Sequence, residues 1–418
     1  MRPALPLLLA AALLLTACGG GAVQEQESAS GPLAGTLRLQ AAGGEGELTA
    51  LRTLIEAYEQ ARPGVTVEFT GVPDQGDHIA KLSTAFAGGR PPDVFLLNYR
   101  RLGPFVERGV LAPVELGDLT PEDFFAAPVE AFTYDGELAC LPQNASSSVA
   151  YLNTELFARA GVPLPAPDWT WTDLEAASKS FAAEDISAFG FDPLVRNVAP
   201  FVWTAGGEVV DDTDDPTRIT FDTPEAQRAL SYLFDLQQYG VDATSRATAE
   251  PVDQFAAGEL AVFLDSRRSV PSFRKADGLE FDVVPVPRAE AATPSSTLLA
   301  SDAYCVSAAT EVPRLAADFA RYAVGVEGGA VLAQSGRTVP ALKELADSPA
   351  FLDPDQPPAS SAVFLDVIDD LRRLPNVAAQ DEAEEGADDL LAQYFAGKAD
   401  LGATVRDIRE ASSVAYRG

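Results

Sequence analysis

Residues 136–153 read GELACLPQNASSSVAYLN, and the fold turns on this stretch. It opens on Asp135-Gly136, a strong hairpin-turn pair between Phe132-Thr133-Tyr134 and Glu137-Leu138-Ala139, because both residues tolerate the positive φ angles of a tight turn. The residues after the hairpin are wrong for a buried strand. Gln143, Asn144, Ser146, Ser147 and Ser148 crowd together before Val149, Tyr151 and Leu152 restore an alternating pattern. A strand this polar, between two halves that each mix strands and helices, is expected to cross from one body to another.

Outward toward the N-terminus, the pattern is strand 36–40, helix 47–62, strand 65–69, helix 78–87 and an apolar strand at Val94-Phe95-Leu96-Leu97. Leu48, Leu51, Leu54, Ile55 and Tyr58 fall on one helical face, and Pro63-Gly64 ends that helix. Alternating β-α-β-α-β implies a sheet covered by helices on both faces, with ligands beyond the strand ends. The loops there carry Glu45 and Asn98-Tyr99-Arg100.

On the C-terminal side a second α/β region begins. Helices are expected at 154–160, 171–183 and 197–204, and a long one is capped by Thr223-Pro224-Glu225. Strands are expected at 218–221, 260–264 and 281–284. Residues 297–307 form another strand-like run that is too polar for a core, with Ser301 and Asp302 in its middle. Helices come next near 312–324, 327–334 and 341–345, and the chain is expected to be mostly helical from about 360.

A chain of 418 residues, nearly half apolar, divides naturally into two cores. Thirty Lys and Arg against 62 Asp and Glu give a net charge of −32, which excludes nucleic acid or an anionic membrane surface as the main partner. Arg2, the apolar run 5–15 and Leu15-Thr16-Ala17-Cys18 resemble a bacterial lipobox. That resemblance implies a signal peptide over 1–17, cleavage before Cys18 and a lipid on its sulfur. Residues 18–35, rich in Gly, Ser, Gln and Glu, read as a flexible tether. Cys140 and Cys305 remain, either as two free thiols or as a pair, which an exported compartment permits.

Taken in order, several pieces resemble the bacterial extracellular solute-binding proteins of the maltose-binding type, family 1, which serve ABC sugar importers. They are LRTLIEAYEQARPGVTV at 51–67, Pro92-Asp93-Val94-Phe95, residues 138–153, and Phe201-Val202-Trp203 with Gly206-Gly207-Glu208. Phe255-Ala256-Ala257-Gly258-Glu259-Leu260-Ala261 and Gly336-Arg337-Thr338-Val339-Pro340 complete the set. The resemblance implies an α/β fold of the two-lobed periplasmic-binding-protein kind (type II), with the ligand cleft between lobes. By that analogy lobe 1 is 36–143 plus 305–350, and lobe 2 is 144–304 plus 351–418. It also implies that the two polar crossings lie side by side, bringing Cys140 and Cys305 together as a disulfide at one edge.

The function so implied is capture of a mono- or oligosaccharide, or a sugar derivative, by cleft closure. An ABC permease then takes the sugar from a monomer held outside the cell membrane by its lipid. The ligand-binding candidates are Glu45, Asn98, Tyr99, Arg100, Gln143, Asn144, Trp203, Asp265, Arg267, Arg268, Ser301, Asp302, Tyr304 and Arg337. Trp203 has two readings, a platform for a sugar ring or a packing residue; as a platform it would report ligand by fluorescence. Asp265-Ser266-Arg267-Arg268 departs from the relatives, which commonly carry a tryptophan there. An arginine in its place can stack or grip a carboxylate or phosphate, or can pair with a surface acid. Residues 380–385 also place acids where relatives often have an aromatic.

Enzyme chemistry finds little support. His78 is the only histidine, so a histidine metal cluster cannot form, and no GxSxG nucleophile elbow accompanies it. The acidic run 211–215 resembles a calcium loop superficially, but Pro216 stands where an EF-hand requires glycine. No cofactor and no metal are expected. An exported glycoside hydrolase using two carboxylates, or a lipoprotein for a non-sugar solute, are the competing readings.

Overall fold

The computed structural model describes residues 31–240 and 250–417. The expected signal peptide, the lipidation site Cys18 and all but the end of the tether lie outside those residues. The tether's last residues already belong to the first body: the Gly31 carbonyl accepts from Arg314 at 3.2 Å, and Leu33 packs on the core.

Strand β1 (Gly35–Ala42), helix α1 (Glu45–Ala61), strand β2 (Val65–Val72), helix α2 (Gln75–Ala87) and strand β3 (Val94–Asn98) succeed one another in short order. Asp74 caps α2 by accepting from the Asp77 N–H at 2.9 Å, an interaction that contributes about 1 kcal/mol. Thr133–Tyr134 and Glu137–Leu138 then form the expected hairpin, with Asp135 and Gly136 at φ 51° and 81°. After it come β4 (Leu141–Pro142) and β5 (Ser146–Asn153). The second body adds α3 (Trp171–Ala183), β6 (Ser187–Gly190), α4 (Val195–Thr204), α5 (Pro224–Leu236), β7 (Leu260–Ser266), β8 (Phe281–Val284) and β9 (Thr297–Ala300). The chain returns through β10 (Asp302–Val306), α6 (Pro313–Val324) and α7 (Val326–Gln334). It ends through β11 (Leu371–Arg372), α8 (Gln380–Phe395) and α9 (Leu401–Ala415).

Two sheets result. The first has the order β2-β1-β3-β10-β4, with β1, β2 and β3 parallel and β10 antiparallel to both β3 and β4. The second runs β11-β9-β5-β7-β6, and β8 also pairs with β5. Alternation along single strands explains why both sheets are buried on both faces. Val94 and Leu96 pack against α1 and α6, whereas Phe95 and Leu97 pack with Leu82 and Phe105 on the other face. In β5, Ala150 and Leu152 enter the large core of the second body, while Val149 and Tyr151 enter a separate core. That separate core also takes Ala333, Val339, Phe351 and Phe364, so the segment beyond α7 packs on the second sheet.

Three expectations are corrected. The run 297–307 is two strands, not one: β9 pairs with β5 through Leu299–Ser147 and Ala300–Ser146, and β10 pairs with β3. The break falls on buried Ser301, where the chain changes sheets. Residues 218–221 form only an isolated bridge, Val210 to Ile219, because the Asp211 carboxylate takes the N–H groups of Thr217 and Arg218 at 2.9 and 3.2 Å. The helix placed at 341–345 is a single turn, Lys343–Ala346, and β11 interrupts the helical C-terminal part.

Cys140 and Cys305 form a disulfide, with Cα atoms 4.5 Å apart. It joins β10 to the segment entering β4, so it lies within the first sheet, a few residues from both crossings.

Candidate functional site

Where β4–β5 and β9–β10 pass between the sheets, a polar cleft of about 280 Å³ opens. Asn144 ties the two crossings together. Its side-chain oxygen accepts from the Asp302 N–H at 2.7 Å, and its amide nitrogen donates to Ser146 Oγ and the Ala300 carbonyl at 3.2 and 3.4 Å. Buried Ser301 donates from Oγ to the Asn144 carbonyl. Asn98, at the end of β3, donates to Asp302 Oδ1 at 3.1 Å. The polarity that disqualified residues 143–148 as a core strand therefore serves the backbone of a crossing.

Eight of the candidate residues line the cleft: Asn98, Tyr99, Arg100, Asn144, Asp265, Arg268, Asp302 and Arg337. Tyr99 does so from a fully buried position, its hydroxyl accepting the Leu374 N–H at 3.1 Å. Arg100 donates to Glu384 at 2.6 Å, and neighbouring Arg101 pairs with Asp381. Those two carboxylates belong to the acidic stretch 380–385, so its acids serve as counter-charges to arginines of the opposite body. Arg268 bonds both Asp265 oxygens at 3.2 Å, with Ser269 and the Ser266 N–H holding the same carboxylate.

The other six lie elsewhere. Gln143 and Ser301 sit beneath the cleft, where the Gln143 N–H donates to the Asp302 carbonyl at 2.8 Å. Tyr304 faces the first core, with its hydroxyl 3.4 Å from the Gln143 amide. Trp203 is only 6 % exposed, packed in the core of the second body with the Arg372 guanidinium 4.9 Å over its ring. The packing reading of Trp203 thus replaces the platform reading. Arg267 is completely buried between Phe351 and Phe364, at 4.3 and 5.1 Å from their ring centres, and it does stack, but inside a core. Glu45 points to solvent because it begins α1, and two residues along a helix turn a side chain by roughly 200°.

That same rotation brings Glu47, which the sequence reading missed, into the cleft. It pairs with Arg337 at 2.8 Å. Burial pushes its carboxyl up to about 7, against the opposing pull of Arg337. The signal was present in Gly43, where any side chain would occupy the space of the Glu47 carboxylate. Burial likewise raises Asp302. Gln75, Arg196, Asn197, Ser146, Ser148 and Thr338 also line the walls. Among the described residues the lining rings are those of Tyr99 and Phe263, both buried, so the cleft offers hydrogen-bonding edges and guanidinium groups rather than a broad aromatic floor.

The family model for "bacterial extracellular solute-binding protein" matches residues 53–358, well over half of the chain. The chain belongs to that family. It is 26 % identical over 220 residues to a putative binding protein of Brucella abortus (strain 2308), covering 50 % of this chain and 52 % of that one. The chain thus spans about half the length of such curated relatives. A galactooligosaccharide-binding protein of Bacillus subtilis (strain 168) is 22 % identical over 75 % of this chain and 74 % of its own. Among solved structures, an ABC substrate-binding protein of Listeria monocytogenes, in complex with cycloalternan, superposes with a TM-score of 0.81. It shares 22 % identity and covers 90 % of this chain and 97 % of that one. The fold is therefore that of the two-lobed solute-binding proteins. Among the described residues no helix is long and apolar enough to cross a membrane.

Proposed function

We propose that the protein captures a small sugar between its lobes without turnover and passes it to an ABC importer from the outer face of the membrane. The observation that carries this reading is that cleft floor and crossing are the same residues. Asn144 and Asp302 line the site and also bond across the two strands that join the lobes. Asp302 stands in the first sheet, while Asp265 and Arg268 come from the end of β7 in the second, so a ligand that bridges them gains contacts as the lobes approach. Closure is then favoured by the added contacts alone. Oligosaccharide recognition in the Bacillus subtilis relative and the bound cycloalternan in the Listeria protein support a saccharide as the solute. The division into lobes at the two crossings and the anchoring of Cys18 through its lipobox belong to the same reading.

Thermal unfolding across a panel of mono- and disaccharides tests it, because a ligand raises stability by RT ln(1 + [L]/Kd). At least one sugar should raise the melting temperature and be recovered chemically unchanged. A panel that moves nothing defeats the sugar reading, and a released product replaces binding by hydrolysis. Since no tryptophan among the described residues lines the cleft, any fluorescence change would report lobe movement rather than stacking on Trp203. Cys18→Ala should shift the protein from the membrane to the soluble fraction of cells.

A further inference from the structure

Five arginines line the cleft, and four of them are neutralised on the spot: Arg100 by Glu384, Arg101 by Asp381, Arg268 by Asp265 and Arg337 by Glu47. The fifth, Arg196 in the first turn of α4, makes no hydrogen bond or ion pair among the described residues. The two carboxylates that act on its charge are already engaged, and Asp192, which lines the same cleft, is not free either. Asp388 accepts the Val195 N–H at 2.6 Å, and Glu384 takes Arg100 and the Gln380 amide, each at 2.6 Å.

Arg196 also faces two like charges. Burial, followed by repulsion from Arg100 and Arg268, lowers its hold on its proton, while Asp388 and Glu384 act the other way. Arg100 comes from the end of β3 in one lobe; Arg196 and Arg268 come from the other. Among the described residues the cleft therefore holds one cation, Arg196, with no counter-ion bonded to it, and drying that cation on closure favours a ligand that brings a negative charge with it. In the same cleft, Glu47 and Asp302 present acceptors suited to hydroxyl groups. The protein's charge of −32 sits largely on solvated side chains and is screened within about 8 Å at physiological salt.

Resting on the sugar-capture reading, we infer that the solute is a small sugar bearing one oxyanion, a carboxylate or a phosphate, seated at Arg196 between Arg100 and Arg268. Guanidinium forks match either group in bidentate fashion and hold it by charge-assisted hydrogen bonds. The neutral hydroxyl-bearing part then lies toward Asp302 and Glu47.

Titration calorimetry and thermal unfolding with matched probes test the inference: D-glucose, D-glucuronate and D-glucose 6-phosphate; D-galactose and D-galacturonate; and neutral maltose. A sugar acid or sugar phosphate should bind at least about tenfold tighter than its neutral parent, and the two kinds of anion separate carboxylate from phosphate. Arg196→Gln should abolish that preference while circular dichroism and the ligand-free melting temperature stay unchanged; Arg196→Lys should retain part of it. Neutral sugars that bind as tightly as their acids overturn the inference and leave sugar capture standing. Glycerol 3-phosphate or citrate binding as tightly as any sugar acid keeps the anion site but removes the sugar. Binding of no probe removes both.

Discussion

Two turns of the same construction, one from each lobe, carry consecutive arginines at the edge of the cleft. Tyr99–Arg101 and Arg267–Ser269 are each a single 3-10 turn at the end of a strand. Their outcomes differ completely. Arg100 and Arg101 meet carboxylates of α8, so both are held as inter-lobe ion pairs. Arg267 meets Phe351 and Phe364 instead and is fully buried, with two of its nitrogens lacking a partner and only Nη2 donating, to the Phe351 carbonyl at 2.9 Å. Burial lowers it to about 10. Arg268, one residue on, is 61 % exposed and pairs locally with Asp265. The fate of a loop arginine is thus set by the surface packed opposite it, not by the loop.

Breaking the aromatic side of this contrast should have the largest effect. Arg267→Ala leaves a cavity between two rings and should cost about 3 kcal/mol in chemical unfolding. Arg267→Met, which fills that space without a charge, should stay within about 1 kcal/mol of the parent. If Arg267→Met proves as damaging as Arg267→Ala, the cation itself is required there. On the ionic side, Glu384→Gln leaves Arg100 short of its partner in a partly buried site and should cost about 2 kcal/mol. A double-mutant cycle with Arg100→Gln should then give a coupling above about 1 kcal/mol; additive single effects would mean that the pair does not join the lobes.

The third test concerns a carboxylate held up by burial. Folded Glu47 keeps its proton to about 7, whereas the ordinary value is 4.5. The folded state therefore binds more protons between those values, and stability falls as pH rises from 4.5 to about 7, then levels. In Glu47→Gln the loss of melting temperature between about pH 5 and about pH 8 should shrink; an unchanged slope would assign it to other groups. The smallest effect belongs to Arg268→Ala. Its exposed pair should contribute no more than about 0.5 kcal/mol to stability, so that any loss of ligand affinity stands alone.

The division into two α/β bodies was legible because strand patterning is a local signal. Val94-Phe95-Leu96-Leu97 is apolar on both faces and is covered on both, and the polar run 143–148 marked a crossing for a matching reason. The site was legible only at strand ends and crossings. Trp203 and Arg267 were misplaced because the same chemistry that stacks on a sugar also stacks within a core, and the sequence does not say which. Glu47 and Arg196 were missed because each lies in the first turn of a helix, where tertiary packing decides which residue turns inward. The end of 297–307 as a single strand likewise hung on one residue, Ser301, whose hydroxyl bonds to the other crossing.

The Cys140–Cys305 bond joins positions 165 apart in sequence. It closes a covalent ring that contains β4 to β10 up to Cys305, and hence every strand of the second sheet except β11. Helices α8 and α9, which complete the core of that lobe, hang outside the ring as an open tail. A single proteolytic cut between residues 140 and 305 therefore opens the ring but severs nothing, and the two halves travel together until the bond is reduced. A cut between α7 and α8 separates the tail's peptide from the ring and leaves only its packing to hold it. For a member of an extracellular solute-binding family, vulnerability to proteases is thus unequally divided along a single lobe.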